Sequence, residues 1–215
     1  MIHCASLLHA TPDGDQLVAY MARVSNPANQ DIKRCSKTLI SYLIKHKHWS
    51  PFEMVNMCVE INTTRSIAAQ LLRHRSFSFQ EFSQRYSDVH NLGDPIIPAL
   101  RRQDHSNRQN SIDDINHHDQ QEWLRLIKDY QDKGMEIYTQ MLDAGIAKEC
   151  AREVLPLSIP SRLYMNGNIR SWIHYCQLRC SADTQLEHRM IARQIKGLIK
   201  GEFPQIYEAS EKYMS

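Results

Sequence analysis

The sequence predicts an α+β fold in a single domain over residues 1–215, with a mixed or antiparallel sheet and helices packed around it. Met54 to Ile61 alternates, placing Val55, Met57, Val59 and Ile61 on one side, which is the period of a strand. Other segments repeat apolar residues every three or four positions, the period of a helix with one buried stripe. A length of 215 residues with 42% hydrophobic and 23% charged content is enough to close one core.

Ile2 to Leu8 is short and apolar and runs into a turn cluster, Thr11-Pro12-Asp13-Gly14, so it reads as a strand. A helix follows from Asp15 through Arg23. Past Asn26-Pro27, the spacing of Ile32, Cys35, Leu39, Leu43 and Ile44 gives a second helix ending near His46 to His48. After the strand at 54–61, Ile67, Ala68, Leu71 and Leu72 mark a helix that delivers Arg73. Residues 87–121 are polar, hold Arg101, Arg102 and Arg108, and show no period, so they read as a loop or lid. From Asp119 to Ala144, Trp123, Leu126, Ile127, Tyr130, Met135, Tyr138 and Met141 predict a long helix, or two helices broken near Gly134, with this stripe in the core. A short helix over Ala147–Val154 ends at Leu155-Pro156. An irregular strand follows over Leu157–Met165, and Asn168 caps a helix through Cys180. Asp183–Lys200 and Pro204–Tyr213 read as packing helices.

A formal charge of +2 gives no basis for a nucleic-acid partner by itself, so any anion site is local. No apolar run has the length of a bilayer span, and the first residues lack a secretory leader, which points to a cytoplasmic protein without membrane contact. The six cysteines have no disulfide-framework spacing. His46 with His48 and His117 with His118 lack a third ligand at a recognised spacing, so no metal is expected. Cys176 and Cys180 near His174 are either a metal set or two buried thiols.

The densest chemistry lies in RHRSFSFQEFSQRY, residues 73–86, where Arg73, His74, Arg75 and Arg85 gather. Guanidinium pairs bidentately with phosphate or carboxylate. Cations in a helix's last turn also complement its dipole, but capping does not call for Ser83 after seven intervening residues and Arg85 two positions later. With Phe77, Phe79, Phe82 and Tyr86 the same arginines also suit a nucleic-acid module with stacking platforms.

RHR, seven residues, Ser83, then Arg85 and Tyr86 resembles the signature of the flavin-dependent thymidylate synthases. His48-Trp49-Ser50-Pro51-Phe52-Glu53, Arg152 to Pro156, and Asn168-Ile169-Arg170-Ser171 with Arg179 resemble further segments of that family, in its order. The resemblance implies reductive methylation of dUMP to dTMP, with 5,10-methylenetetrahydrofolate as carbon donor and FAD, reduced by NADPH, as hydride source. It implies dUMP contacts from Gln70, Arg73, Ser83, Gln84, Arg85, Arg152 and Arg179. It implies FAD contacts from Ser50, Glu53, Arg73, His74, Arg75, Glu81, Asn168, Arg170 and His174. His48 is implied beside the flavin ring, and Ser50 is equally a plain helix cap. Arg179 and His48 are the catalytic candidates, Arg179 because a fixed cation stabilises charge developing on the pyrimidine carbonyls. Ser83 has no evident base and reads as a binding residue. At about 100° per residue, Asn168 and Arg179 share a face roughly opposite Arg170 and His174. Polar groups on two faces of one helix suit a homotetramer with sites at subunit interfaces, as the resemblance implies.

Overall fold

A computed structural model describes residues 2–32 and 37–214. Cys35, placed in the second helix by its spacing, lies outside the described residues. The fold is α+β. Its strands are β1 (Cys4–Ala10), β2 (Asn56–Thr64), β3 (Ser78–Glu81), β4 (Arg102–Gln103), β5 (Ser111–Ile112) and β6 (Pro160–Asn168). Its α-helices are α1 (Gly14–Met21), α2 (Lys37–Lys45), α3 (Arg65–Leu71), α4 (His117–Asp143), α5 (Lys148–Ala151), α6 (Ile169–Arg179), α7 (Leu186–Glu202) and α8 (Pro204–Met214). The main sheet has the order β1-β2-β6-β3, and β4 pairs antiparallel with β5, Arg102 opposite Ile112.

The chain divides into two compact units, each assembled from separated stretches. The first comprises Met1–His3, Asn62–Arg73 and Gln80–Leu163, and the second Cys4–Ile61, His74–Phe79 and Tyr164–Ser215. Sequence patterning marked no boundary between these two units.

In the first unit the core gathers Val89, Tyr138, Ala151 and Ile159, with Met135, Met141, Leu142, Val154 and Leu155 packed around them. Gly134 does not break α4, which is continuous over 27 residues. A Cβ there would stand 3.1 Å from the Val154 carbonyl oxygen, so the glycine serves close packing. The expected core stripe fails in the first half of α4. Trp123, Leu126 and Tyr130 are 58%, 42% and 62% exposed, because the buried face runs through Gln131, Gly134 and Tyr138. Residues 87–116 are largely irregular but tied down: Ile96 N–H donates to the Ser158 carbonyl, and Gln131 Nε2 donates to the Ile96 carbonyl and Ser158 Oγ.

In the second unit α2 packs on α8, α7 on β1, and α6 on α7. Ile40, Phe52, Met57, Trp172, Tyr175, Ile195 and Phe203 are fully buried. Buried Asp15 accepts from the N–H groups of Gln205 and Ile206 at 2.9 and 3.2 Å, satisfying donors at the start of α8. Trp172 Nε1 donates to the Met57 carbonyl at 2.9 Å, fixing α6 to β2. Phe77 lies edge-on to Trp172, with centroids 4.5 Å apart, and passes over Gly167.

A Cβ on Gly167 would come within 2.4 Å of the Phe77 ring. Gly167→Ala therefore displaces that ring and destabilises the protein by about 1–3 kcal/mol, read as a lower denaturation midpoint with an unchanged slope.

Candidate functional site

The candidate residues sort between the two units. Gln70, Arg73, Glu81, Ser83, Gln84, Arg85 and Arg152 belong to the first, and His48, Ser50, Glu53, His74, Arg75, Asn168, Arg170, His174 and Arg179 to the second.

In the second unit a cleft of about 620 Å³ is lined by Lys47, Trp49, Glu53, Asn168, Arg170 and His174, among others. Asn168 caps α6, its Oδ1 accepting from Ser171 N–H at 2.9 Å, so its amide nitrogen remains a donor. Arg170 leaves the first turn of α6 and forms an ion pair with Glu53, which the 3₁₀ turn Ser50–Met54 presents. Ser50 is the first residue of that turn and is exposed; the cap position before it is Trp49, so the expected helix-cap role does not fall to Ser50. His174 follows Arg170 by one turn. The helical projection misplaced Asn168: it lies with Arg170 and His174, because its φ of −74° and ψ of 161° are extended and the helical step does not apply at the cap. His48 is exposed, stacked edge-on to Tyr42 at 5.8 Å, and does not line the cleft.

Arg179, on the last turn of α6, donates from Nε to His74 Nε2 at 3.0 Å. His74 is therefore an acceptor at Nε2, the tautomer protonated at Nδ1. Burial, followed by the fields of Arg179 and His174, lowers its pKa from 6.5 to about 4, so it is neutral near pH 7. Behind it Tyr175 lies edge-on at 5.0 Å and hydrogen-bonds the fully buried His188, Nε2 to hydroxyl 3.1 Å. Burial, Arg179 and His74 lower the pKa of His188 to about 3. Phe77 also packs on Tyr175, so part of its ring is engaged inside the protein. Arg75 is exposed.

In the first unit Glu81 accepts from Arg65 at 2.9 Å and from Ser161 Oγ at 2.8 Å. Arg85 pairs with Glu149 at 3.0 Å, and Arg152 lies 3.5 Å from Glu153. Arg73 and Ser83 are exposed. Gln84 is 8% exposed, and its Nε2 is buried without a hydrogen-bond partner among the described residues. A buried amide donor without an acceptor suits a site that takes a carbonyl or phosphate oxygen.

Sequence reasoning missed Lys47, Trp49, Ser76, Ser171 and Gln177 in the cleft, and Tyr175 and His188 behind His74. Gln177 was within reach, since Arg170, His174 and Gln177 share a helical face. Nothing in the local sequence marks His188. Cys176 is buried and its Sγ donates to the Ala192 carbonyl at 3.9 Å, while His174 lines the cleft instead.

The family described as "Thymidylate synthase complementing protein" matches residues 6–205. A "Probable flavin-dependent thymidylate synthase" of Paramecium bursaria Chlorella virus 1 is 50% identical over 195 residues, covering 91% of this chain and 89% of the viral protein. A "Flavin-dependent thymidylate synthase" of Synechocystis sp. is 47% identical over 201 residues, 94% of this chain and 90% of that one. Among solved structures, a UMP/dUMP methylase PolB from Streptomyces cacaoi, bound with 5-Br UMP, superposes with a TM-score of 0.85 at 30% identity, covering 97% of this chain and 93% of that one.

The lowered His74 pKa sets a sign for acid stability. The unfolded chain binds a proton at this site near pH 6.5 and the folded one only near pH 4, so the stabilisation is complete above about 6.5 and is lost as pH falls towards 4. Thermal melts across that window should show a shallower fall for His74→Gln than for the parent protein.

Proposed function

The chain belongs to the flavin-dependent thymidylate synthase family, and from that premise we infer that the second unit's cleft holds FAD and that the first unit's arginines, with Arg179, serve dUMP. The activity is the reductive methylation of dUMP to dTMP with methylenetetrahydrofolate as carbon donor. One observation carries the flavin assignment: Glu53, Asn168, Arg170 and His174, up to 121 positions apart in the sequence, line one cleft. Its donor set fits a flavin dinucleotide. Arg170 and the Asn168 amide suit pyrophosphate or ring oxygens, and Trp49 supplies an apolar wall. When bound and reduced by NADPH, the flavin supplies the hydride.

The chain's own residues orient the reactants and place charge. Glu53 holds the Arg170 guanidinium. His74 holds Arg179 through Nε, which leaves the terminal nitrogens to meet a pyrimidine carbonyl, where a fixed cation stabilises the negative charge that develops. A charged His74 would repel Arg179, and burial prevents that. Gln70, Arg73, Ser83, Gln84, Arg85 and Arg152 bind the nucleotide, the orphaned Gln84 amide as a donor to it. The family resemblance adds Ser50, His74, Arg75, Arg73 and Glu81 as flavin contacts and His48 beside the ring, although none of these lines the cleft itself. We place the working enzyme in the cytoplasm as a homotetramer, with sites where subunits meet. The exposed Trp123, Leu126 and Tyr130 support this, being the kind of apolar surface that oligomers cover. No helix among the described residues is long and apolar enough to cross a membrane.

Arg179→Ala and Arg170→Ala separate the two assignments. Arg179→Ala should weaken dUMP binding at least about tenfold, the loss of a hydrogen bond from a charged donor, while the protein stays yellow. Arg170→Ala should release flavin. Calorimetric dUMP titration and the flavin absorbance read both, and the reverse pattern overturns the assignment.

A further inference from the structure

Helix α2 ends through two backbone bonds, His48 N–H to the Leu43 carbonyl at 2.8 Å and Lys47 N–H to the Ile44 carbonyl at 3.0 Å. That ending requires a left-handed residue, where glycine is favoured because it has no Cβ to crowd the backbone. Here the position is lysine, at a φ of +58°. Its exposed side chain lines the cleft. A side chain kept where the backbone favours none is a reason to look for a task.

Charge supplies the second argument. In the cleft Glu53 is committed to Arg170, and Lys47 makes no ion pair among the described residues. His174 on α6 adds no negative charge, so the cleft carries one uncompensated cation. A second substrate that meets a flavin seated there would approach from the exposed side of the cleft, where Lys47 lies. Both second substrates, the nicotinamide dinucleotide and the folate, are polyanions.

We propose that Lys47 is an anion contact for a second substrate at the mouth of the cleft, meeting either the 2′-phosphate of NADPH or the glutamate carboxylates of the folate. The proposal rests on the reading of this cleft as the flavin site. Lys47 then sets substrate preference without touching dUMP, through a point charge whose three donors adapt to either anion.

Lys47→Gly in the holoenzyme tests it cleanly, because glycine relieves the positive φ and a purely structural lysine would be replaced without loss. The melting temperature should hold or rise, and FAD should be retained. KM should rise about tenfold for one second substrate, as expected for one charged hydrogen bond, and Lys47→Arg should restore it. A rise for NADPH but not NADH identifies the 2′-phosphate, with NADP⁺ titrated by calorimetry as the direct binding measure. A rise for methylenetetrahydrofolate identifies the carboxylates. Unchanged KM for both, or weakened FAD affinity with both KM values unchanged, overturns the proposal. A parent protein whose flavin survives Arg170→Ala instead overturns the reading of the cleft, and this proposal with it.

Discussion

Arg179 donates from Nε to Nε2 of His74 over 3.0 Å, and this bond requires an uncharged imidazole, since a protonated ring has no lone pair to offer. Much of the second unit serves that condition. Trp172 is fixed to β2 by its indole N–H, Phe77 packs on Trp172 and over Gly167, and Tyr175 with His188 closes the far side of His74. Burial removes the water that would favour the charged ring, and Arg179 adds a like charge that would oppose its protonation. The imidazole then fixes the direction of a guanidinium whose other nitrogens point elsewhere. The RHR segment owes its function to aromatic packing as much as to its charges.

The cations divide by what compensates them. Arg170 is held by Glu53 and Arg65 by Glu81, so those guanidiniums are oriented before any ligand arrives. Arg85 pairs with Glu149, but both side chains are more than half exposed, 66% and 53%. Such a pair is worth about 0–1 kcal/mol, so exchanging Glu149 for a phosphate costs little. Arg73 and Arg75 are exposed. Within the first unit Arg65 is held and Arg85 is loosely paired, while in the second Arg170 is held and Arg75 is exposed, so each unit has both a preorganised cation and one left to a ligand.

Strong periodicity made much of the fold legible. The strand over 54–61 is β2 displaced by about two residues, and the capped helix from Asn168 is α6. The short β3 lay hidden inside the cation cluster, where four residues give too little alternation to be seen. The stripe of Trp123, Leu126 and Tyr130 has the helical period, yet period fixes only that residues share a face, not that the face is covered. Asn168 was assigned to the wrong companions because a cap residue leaves the helical screw. Arg170, His174 and Glu53 were singled out through resemblance, but that they line one cleft was not legible. The same holds for Lys47, whose backbone conformation no residue pattern announces, and for His188, which faces Tyr175 across two helices.

The visible absorption spectrum of the purified protein, followed anaerobically, tests the central claim that this fold houses a flavin working on dUMP. A flavin band that bleaches with NADPH and recovers once methylenetetrahydrofolate and dUMP are both added is the expected result. A protein that stays colourless and takes up no added FAD would contradict it, and would leave the cleft and the cations beside it without the ligand assigned to them.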